Sequence, residues 1–256
     1  MIAMSSDARA EAQPGRRRLL RRWLLRGGAT LLVLSALYVA TLLHPQMFFS
    51  WARDGASIHV HSDEPIPESA AEIISLAESR IRRSPLFDTT RTYPVYVCNA
   101  RWRWNYFSGF NGRSRGFQTP LGRAIFIRPA HWATNQLAGP DGEDGPCALD
   151  MYLAHEVTHM MVADHLGLIA ARRLPVWLRE GYAEYVARHD TFDYAATRAH
   201  LIAGDEGLAV HDRYWKYLLL VTYLLDREGL DVSTVLNAPP DSDEVEARVR
   251  ADATTR

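Results

Sequence analysis

The chain has few cysteines, which excludes a disulfide-rich scaffold. Its 256 residues include only Cys98 and Cys147, and their distance in the sequence is unlike the close spacing of cysteine metal-binding motifs. Any metal site must therefore use other ligands. A single disulfide between the two is allowed if both lie outside the cytoplasm, and two separate buried thiols are the alternative.

Charged residues are absent from Gly27 to Ala52, and residues 29–43 are almost wholly apolar. A transmembrane helix takes about 20 such residues, whereas a cleaved signal peptide needs an apolar region of only about 7–15. No small-x-small cleavage site follows, which favours an uncleaved transmembrane signal anchor at residues 29–49 over a removed signal peptide. Seven arginines precede it and predict a basic cytoplasmic tail at residues 1–28.

This arrangement predicts a single-pass membrane protein with its N-terminus in the cytoplasm. Everything after about Phe49 is then extracytoplasmic, which means periplasmic in a Gram-negative cell. We expect one globular domain at residues 50–238 and a charged C-terminal tail at residues 239–256.

A net positive charge is also lacking outside the N-terminal tail. Residues 1–28 have a net charge of +5 and the whole chain has −1, so residues 29–256 carry −6. A surface that binds nucleic acid needs clustered lysine and arginine. We therefore expect no nucleic-acid partner.

Apolar spacing predicts the main elements of the globular domain. An amphipathic helix is expected at 68–82, and β-branched and aromatic residues predict strands at 93–98 and 124–127. Four further helices are expected towards the C-terminus, at about 147–165, 175–189, 193–203 and 213–227.

The segment His155–His159 has the sequence His-Glu-Val-Thr-His. Residues four apart lie on one face of a helix, so His155 and His159 can share one metal ion while Glu156 projects beside it. A hydrolytic zinc ion holds three protein ligands and one water, whose pKa it lowers towards ~7. The pattern therefore predicts a catalytic Zn²⁺ site with Glu156 as the general base.

Two residues compete for the third ligand position. His165 has the spacing of the metzincin motif, but Val162 occupies the place of the glycine that would turn the chain back. Glu180 lies on the next predicted helix and is the better candidate. Glu184, one turn further on, is expected to hold the free N–H of His155, although the opposite assignment of Glu180 and Glu184 stays open.

Together with the segment Trp177–Tyr185, Trp-Leu-Arg-Glu-Gly-Tyr-Ala-Glu-Tyr, the histidine motif resembles the gluzincin metallopeptidases, especially the compact bacterial peptidase MA-like members. The resemblance implies that His155, His159 and Glu180 bind Zn²⁺ and that Glu156 is the catalytic base.

The resemblance also implies an α+β fold. This zincin-like metallopeptidase domain has a small mixed sheet packed on the histidine-bearing helix and a mainly helical C-terminal half, and one transmembrane helix precedes it. Ala124–Ile127 is the candidate edge strand for binding an extended substrate, with an ordinary core strand as the alternative. It lacks the Gly-x-Met-Glu-Asn element of gluzincin aminopeptidases, which makes aminopeptidase specificity doubtful.

The expected reaction is hydrolysis of a peptide or protein by zinc-activated water. Glu156 takes the proton of the water and passes it to the leaving amine. Tyr214 is the candidate for stabilising the oxyanion, with His211 and Tyr182 as alternatives. We thus predict a membrane-anchored zinc endopeptidase; a non-catalytic, zinc-stabilised envelope binding module and a zinc hydrolase of a non-peptide amide are the alternatives.

Overall fold

The structure of the chain, a computed structural model, divides into two compact units. One ends at His44 and the other begins at Pro45. The residues that the structure describes are 14–109, 111–119, 123–140, 147–204 and 213–252. The first part of the predicted basic tail, residues 1–13, therefore lies outside the description.

The first unit contains one helix, α1 (Pro14–Leu43), whose segment Arg22–Leu43 is long and apolar enough to cross a membrane. Its 22 residues extend about 33 Å, against a bilayer core of about 30 Å. A signal sequence shares these properties. Because His44 precedes Pro45, the helical conformation is disfavoured there, and residues 44–49 of the predicted anchor lie beyond the helix.

A five-stranded mixed sheet opens the second unit, with the strand order β1-β2-β3-β5-β4. The central strands β2, β3 and β5 run parallel, and β1 and β4 are antiparallel to their neighbours. The strands are β1 (Trp51–Asp54), β2 (Ile58–Ser62), β3 (Tyr93–Val97), β4 (Gly116–Gln118) and β5 (Ile125–Ile127). The prediction of a small mixed sheet is confirmed.

Side chains alternate between the two faces of this sheet, and both faces are covered. Val95 and Ile125 are fully buried in the core that the sheet shares with the helices. On the opposite face, the ring of Phe126 lies 5.1 Å from that of Tyr96 and 4.6 Å from that of Phe107. Burial on both faces explains why β3 and β5 are nearly continuously apolar.

The expectation that Ala124–Ile127 forms an edge strand is wrong. Strand β5 pairs with β3 on one side and with β4 on the other, so it lies inside the sheet. The edge is β4, which has only three residues in a segment rich in glycine and arginine. A strand this short has no readable alternation of polar and apolar residues.

The rest of the second unit is mainly helical. A sheet of three short strands, β6 (Ala130–His131), β7 (Gln136–Leu137) and β8 (Cys147–Ala148), leads into its central helix. The helices are α2 (Ala70–Ile81), α3 (Arg101–Ser108), α4 (Leu149–Leu166), α5 (Leu168–Arg173), α6 (Val176–Arg188), α7 (Tyr194–Ala203), α8 (Arg213–Thr222), which continues as one π-helical turn at Tyr223–Arg227, α9 (Val232–Asn237) and α10 (Ser242–Ala251).

Four of these helices lie where the sequence predicted none. Helix α3 alternates arginine and tryptophan, which obscures its helical period, and α5 and α9 have only six residues each. Helix α10 occupies most of the predicted charged tail. Its Val245 and Val249, one turn apart, are both fully buried, so this segment belongs to the core.

Helices α6 and α8 approach closely at Gly181. A Cβ atom there would lie 2.6 Å from the carbonyl oxygen of Tyr217, inside any normal contact. We expect Gly181→Ala to lower the free energy of unfolding by roughly 1–3 kcal/mol, although alanine favours helices. Urea denaturation measures the change. Gly112→Ala is the control, because a Cβ atom at Gly112 meets nothing within 4 Å; equal stability of both variants would contradict the close approach.

Candidate metal centre

Helix α4 places its two histidines on one buried face. His155 and His159 are one helical turn apart, and their Nε2 atoms lie 3.1 Å from each other. The neighbouring apolar residues Leu153, Ala154 and Val157 are fully buried. The fixed helix backbone therefore sets the separation of the two imidazoles.

Helix α6 brings Glu180 to both histidines. Its Oε2 atom lies 3.4 Å from Nε2 of His155 and 3.5 Å from Nε2 of His159. These three residues form the one group of histidine, cysteine and acidic side chains among the described residues that could hold a metal ion.

The donor distances fit a small tetrahedral metal ion. Bonds of about 2.0–2.2 Å to nitrogen and oxygen keep neighbouring donor atoms of a tetrahedral zinc site about 3.4 Å apart. The three separations in the protein are 3.1, 3.4 and 3.5 Å. Two imidazoles with one carboxylate suit zinc better than magnesium or calcium, which prefer oxygen ligands.

Glu184 lies on the outer side of His155. Its Oε1 atom is 3.0 Å from Nδ1 of His155, whereas Glu180 faces the Nε2 atom. The other oxygen of Glu184 pairs with Arg188 one turn along α6. The structure thus places the two glutamates on opposite nitrogens of the same imidazole, and His155 is held in one orientation.

The two histidines are supported unequally. Nδ1 of His159 is buried and has no hydrogen-bond partner among the described residues, in contrast to Nδ1 of His155.

We expect Glu184→Gln to weaken metal binding by about 10–100-fold, since it removes the charge that orients His155. Competition with a chromophoric chelator measures the affinity. Glu244→Gln, at an exposed position on α10, is the control; equal affinities of the two variants would contradict this role.

Charges on the cluster favour a bound cation. Burial lowers the pKa of His155, but hydrogen bonds to Glu180 and Glu184 outweigh burial and raise it to about 10. Burial raises the pKa of Glu180, and its bonds to His155 and His159 reverse this and hold it well below the usual range. The two carboxylates around His155 thus favour positive charge at this position, and binding of a divalent metal ion to the neutral imidazole should release a proton.

A cleft of about 780 Å³ adjoins the cluster. Glu156 lines it and is 5% exposed. Tyr152, one turn before Glu156, also lines the cleft, and its ring lies against Gly116 of β4. A Cβ atom at Gly116 would lie 2.9 Å from that ring, so the glycine lets the edge strand approach α4.

The structure separates the candidates for oxyanion stabilisation. Tyr214 on α8 lines the cleft, with its ring centroid 6.5 Å from that of His155. Tyr182 is buried elsewhere, and its hydroxyl shares a 2.6 Å hydrogen bond with Ser84. His211 lies outside the described residues. The expectation that Tyr182 is an alternative to Tyr214 is therefore wrong.

His165 lies in the last turn of α4, exposed to solvent and outside the cleft. The helix continues through Val162 to Leu166 and ends at Gly167, whose φ of 83° only glycine adopts easily. The spacing that suggested a metzincin ligand therefore leads to the solvent side of the helix.

Both cysteines are free thiols. Cys98 is fully buried, and burial raises its pKa well above the usual range. Cys147 lines the cleft, where burial raises its pKa too. The structure therefore has two separate thiols and no disulfide, but only Cys98 is buried as the second alternative expected, because Cys147 is half-buried.

Arg80 is a buried residue that sequence reasoning missed. Its Nε donates to Asp150 in the first turn of α4 at 3.0 Å, and its Nη1 donates to the carbonyl oxygen of Ala187 near the end of α6 at 2.8 Å. A third contact joins it to Asp190 at 2.6 Å. Arg80 therefore ties together the two helices that carry the metal cluster.

A comparison of the chain with protein-family models found no match, and a comparison with curated proteins found none either. The assignment of a function therefore depends on the motif and on the geometry of the cluster.

Proposed function

We propose that the chain is a membrane-anchored, extracytoplasmic zinc metallopeptidase of the gluzincin type. The observation that carries the proposal is the group formed by His155, His159 and Glu180, whose donor atoms lie 3.1 to 3.5 Å apart beside the buried Glu156. Helix α1 supports the membrane anchor. The mixed sheet, with α4 beside its edge strand and helices behind it, is compatible with a zincin-like fold.

Catalysis, and not a structural role for the metal, is favoured by the composition of the site. A structural zinc site closes its fourth position with a protein ligand, whereas a catalytic site has three ligands and leaves one position for water. The cluster has three candidate ligands and opens into a cleft. Glu156 would have no function in a structural site.

Each side chain has a defined part in the proposed reaction. Zinc, when held by His155, His159 and Glu180, supplies a Lewis acid that activates water and polarises the scissile carbonyl. Glu156 accepts a proton from the attacking water and donates it to the leaving amine. Tyr214 donates its hydroxyl hydrogen to the developing oxyanion.

Strand β4 is the proposed binding edge for an extended substrate. All three of its residues, Gly116–Gln118, line the cleft, and no strand beyond β5 pairs with it in the described sheet. A peptide can therefore add to its free edge through backbone hydrogen bonds. This replaces the role that the sequence suggested for β5.

The full chain, purified in detergent, tests the proposal. We expect about one zinc ion per chain by mass spectrometry and cleavage of an unstructured protein such as reduced casein. A chelator should abolish cleavage, and added zinc should restore it. A protein that binds no zinc would contradict the site; one that binds zinc but cleaves no peptide bond would leave a binding module or a hydrolase of other amides.

A further inference from the structure

Among the described residues that line the cleft, positive side chains outnumber negative ones. Five arginines and three glutamates are among its described lining residues, which gives a formal charge of +2 before any metal ion is added. They are Arg113, Arg115, Arg172, Arg179 and Arg188, with Glu156, Glu180 and Glu184. A divalent ion in the cluster would make the cleft more positive still.

The three glutamates lie at or beside the histidine cluster, and two of them already have ionic partners there. Glu180 contacts both histidines and accepts a 2.9 Å hydrogen bond from Nε of Arg179. Glu184 faces His155 and pairs with Arg188. Glu156 is the proposed base. Arg179 and Arg188 thus lie beside the proposed metal ligands, and none of the three glutamates pairs with Arg113 or Arg172 among the described residues.

Two of the remaining arginines, Arg113 and Arg172, are available to bind a substrate. Arg113 precedes β4 by three positions, and Arg172 lies on α5; both are exposed. Neither guanidinium group makes a hydrogen bond or an ion pair with the described residues. A peptide added to β4 would share the cleft with both groups.

We propose that the cleft selects peptide segments with aspartate or glutamate near the scissile bond, and that Arg113 and Arg172 bind those carboxylates. A guanidinium group matches a carboxylate with two parallel hydrogen bonds. A cleft lined mostly by one sign of charge concentrates ligands of the opposite sign and disfavours lysine-rich or arginine-rich ones. The inference rests on the proposed peptidase function and specifies its substrate class.

A pair of matched peptides tests the selectivity. Cleavage sites of the full chain are first mapped in an unstructured protein. Two peptides are then made around one site, the second with asparagine and glutamine in place of the acids. We expect kcat/KM to be about tenfold higher for the acidic peptide at low salt, and the ratio to fall towards one at high salt because ions screen the charges.

Variants of single arginines test which residues cause the preference for acidic peptides. Arg113→Ala and Arg172→Ala should each lower the ratio by about two- to fivefold, as expected for partly exposed ion pairs. Arg173→Ala is the matched control, since Arg173 neighbours Arg172 on α5 but does not line the cleft; its ratio should equal that of the wild type. Fluorescence anisotropy of the labelled acidic peptide, measured with the inactive Glu156→Gln variant, reports binding without catalysis and should show the same order.

The results distinguish failure of the charge selectivity from failure of the proposed peptidase activity. Zinc-dependent cleavage with a ratio near one, or with ratios that the Arg113 and Arg172 variants leave unchanged, overturns the selectivity and keeps the peptidase. A chain that binds zinc but cleaves neither the unstructured protein nor the peptides overturns the peptidase itself.

Discussion

Replacement of Glu156 by glutamine should lower the rate of peptide hydrolysis by about 10²–10⁴-fold while the metal stays bound. Glutamine has the shape of glutamate but cannot take a proton from water at neutral pH. Glu156 lies in the cleft next to a ligand in the sequence, yet it is not one of the three clustered donors. Steady-state kinetics and metal analysis of the same preparation measure both quantities.

Comparison with Glu184→Gln makes this prediction specific. Both variants exchange one glutamate of the cleft for its amide. The Glu184 variant should recover most of its activity at saturating zinc, because its defect is metal affinity. The Glu156 variant should not recover at any zinc concentration. A Glu156→Gln protein that is fully active with zinc bound would refute the proposed mechanism.

The positions of the proposed ligands could be predicted because they depend on local geometry. The four-residue spacing of His155 and His159 needs only a continuous helix, and the same holds for Glu180 and Glu184 on α6. The exposure of His165 follows in the same way, since nothing at Val162 interrupts α4. Such features need no knowledge of distant parts of the chain.

Features that depend on distant contacts were missed. Strand β4 lies at the edge because β5 also pairs with the much earlier strand β3, and three residues of sequence carry too little pattern to predict this arrangement. The sequence of helix α10 resembles a charged tail because it has only two buried residues, both valines. The need for glycine at position 181 arises from the backbone of α8. In each case the partner that decides the structure is remote in the sequence.

Arg80 is the clearest example of such a remote dependence, and its loss should have a large effect. Its side chain joins Asp150, which is 3% exposed, to the end of α6 across 70 and 107 positions of sequence. We expect Arg80→Met to lower the free energy of unfolding by about 3–5 kcal/mol, because it leaves the buried carboxylate of Asp150 without its cation. Chemical denaturation measures the loss. Arg83→Met, two residues beyond the end of the same helix, exposed and 3.5 Å from its partner Asp190, should cost less than about 1 kcal/mol.

A second substitution separates charge from packing. Asp150→Asn in the Arg80→Met background removes the unpaired buried charge and keeps an oxygen and a nitrogen to bond Asn135, which contacts Asp150 at 2.6 Å. The double variant should therefore be more stable than Arg80→Met alone. Zinc affinity should follow the same order, because Arg80 joins the start of α4 to the end of α6, and these two helices carry the three proposed ligands. If Arg80→Met proved no less stable than Arg83→Met, the ion pair would not hold the two helices in place, and the position of the cluster would have to depend on the apolar core alone.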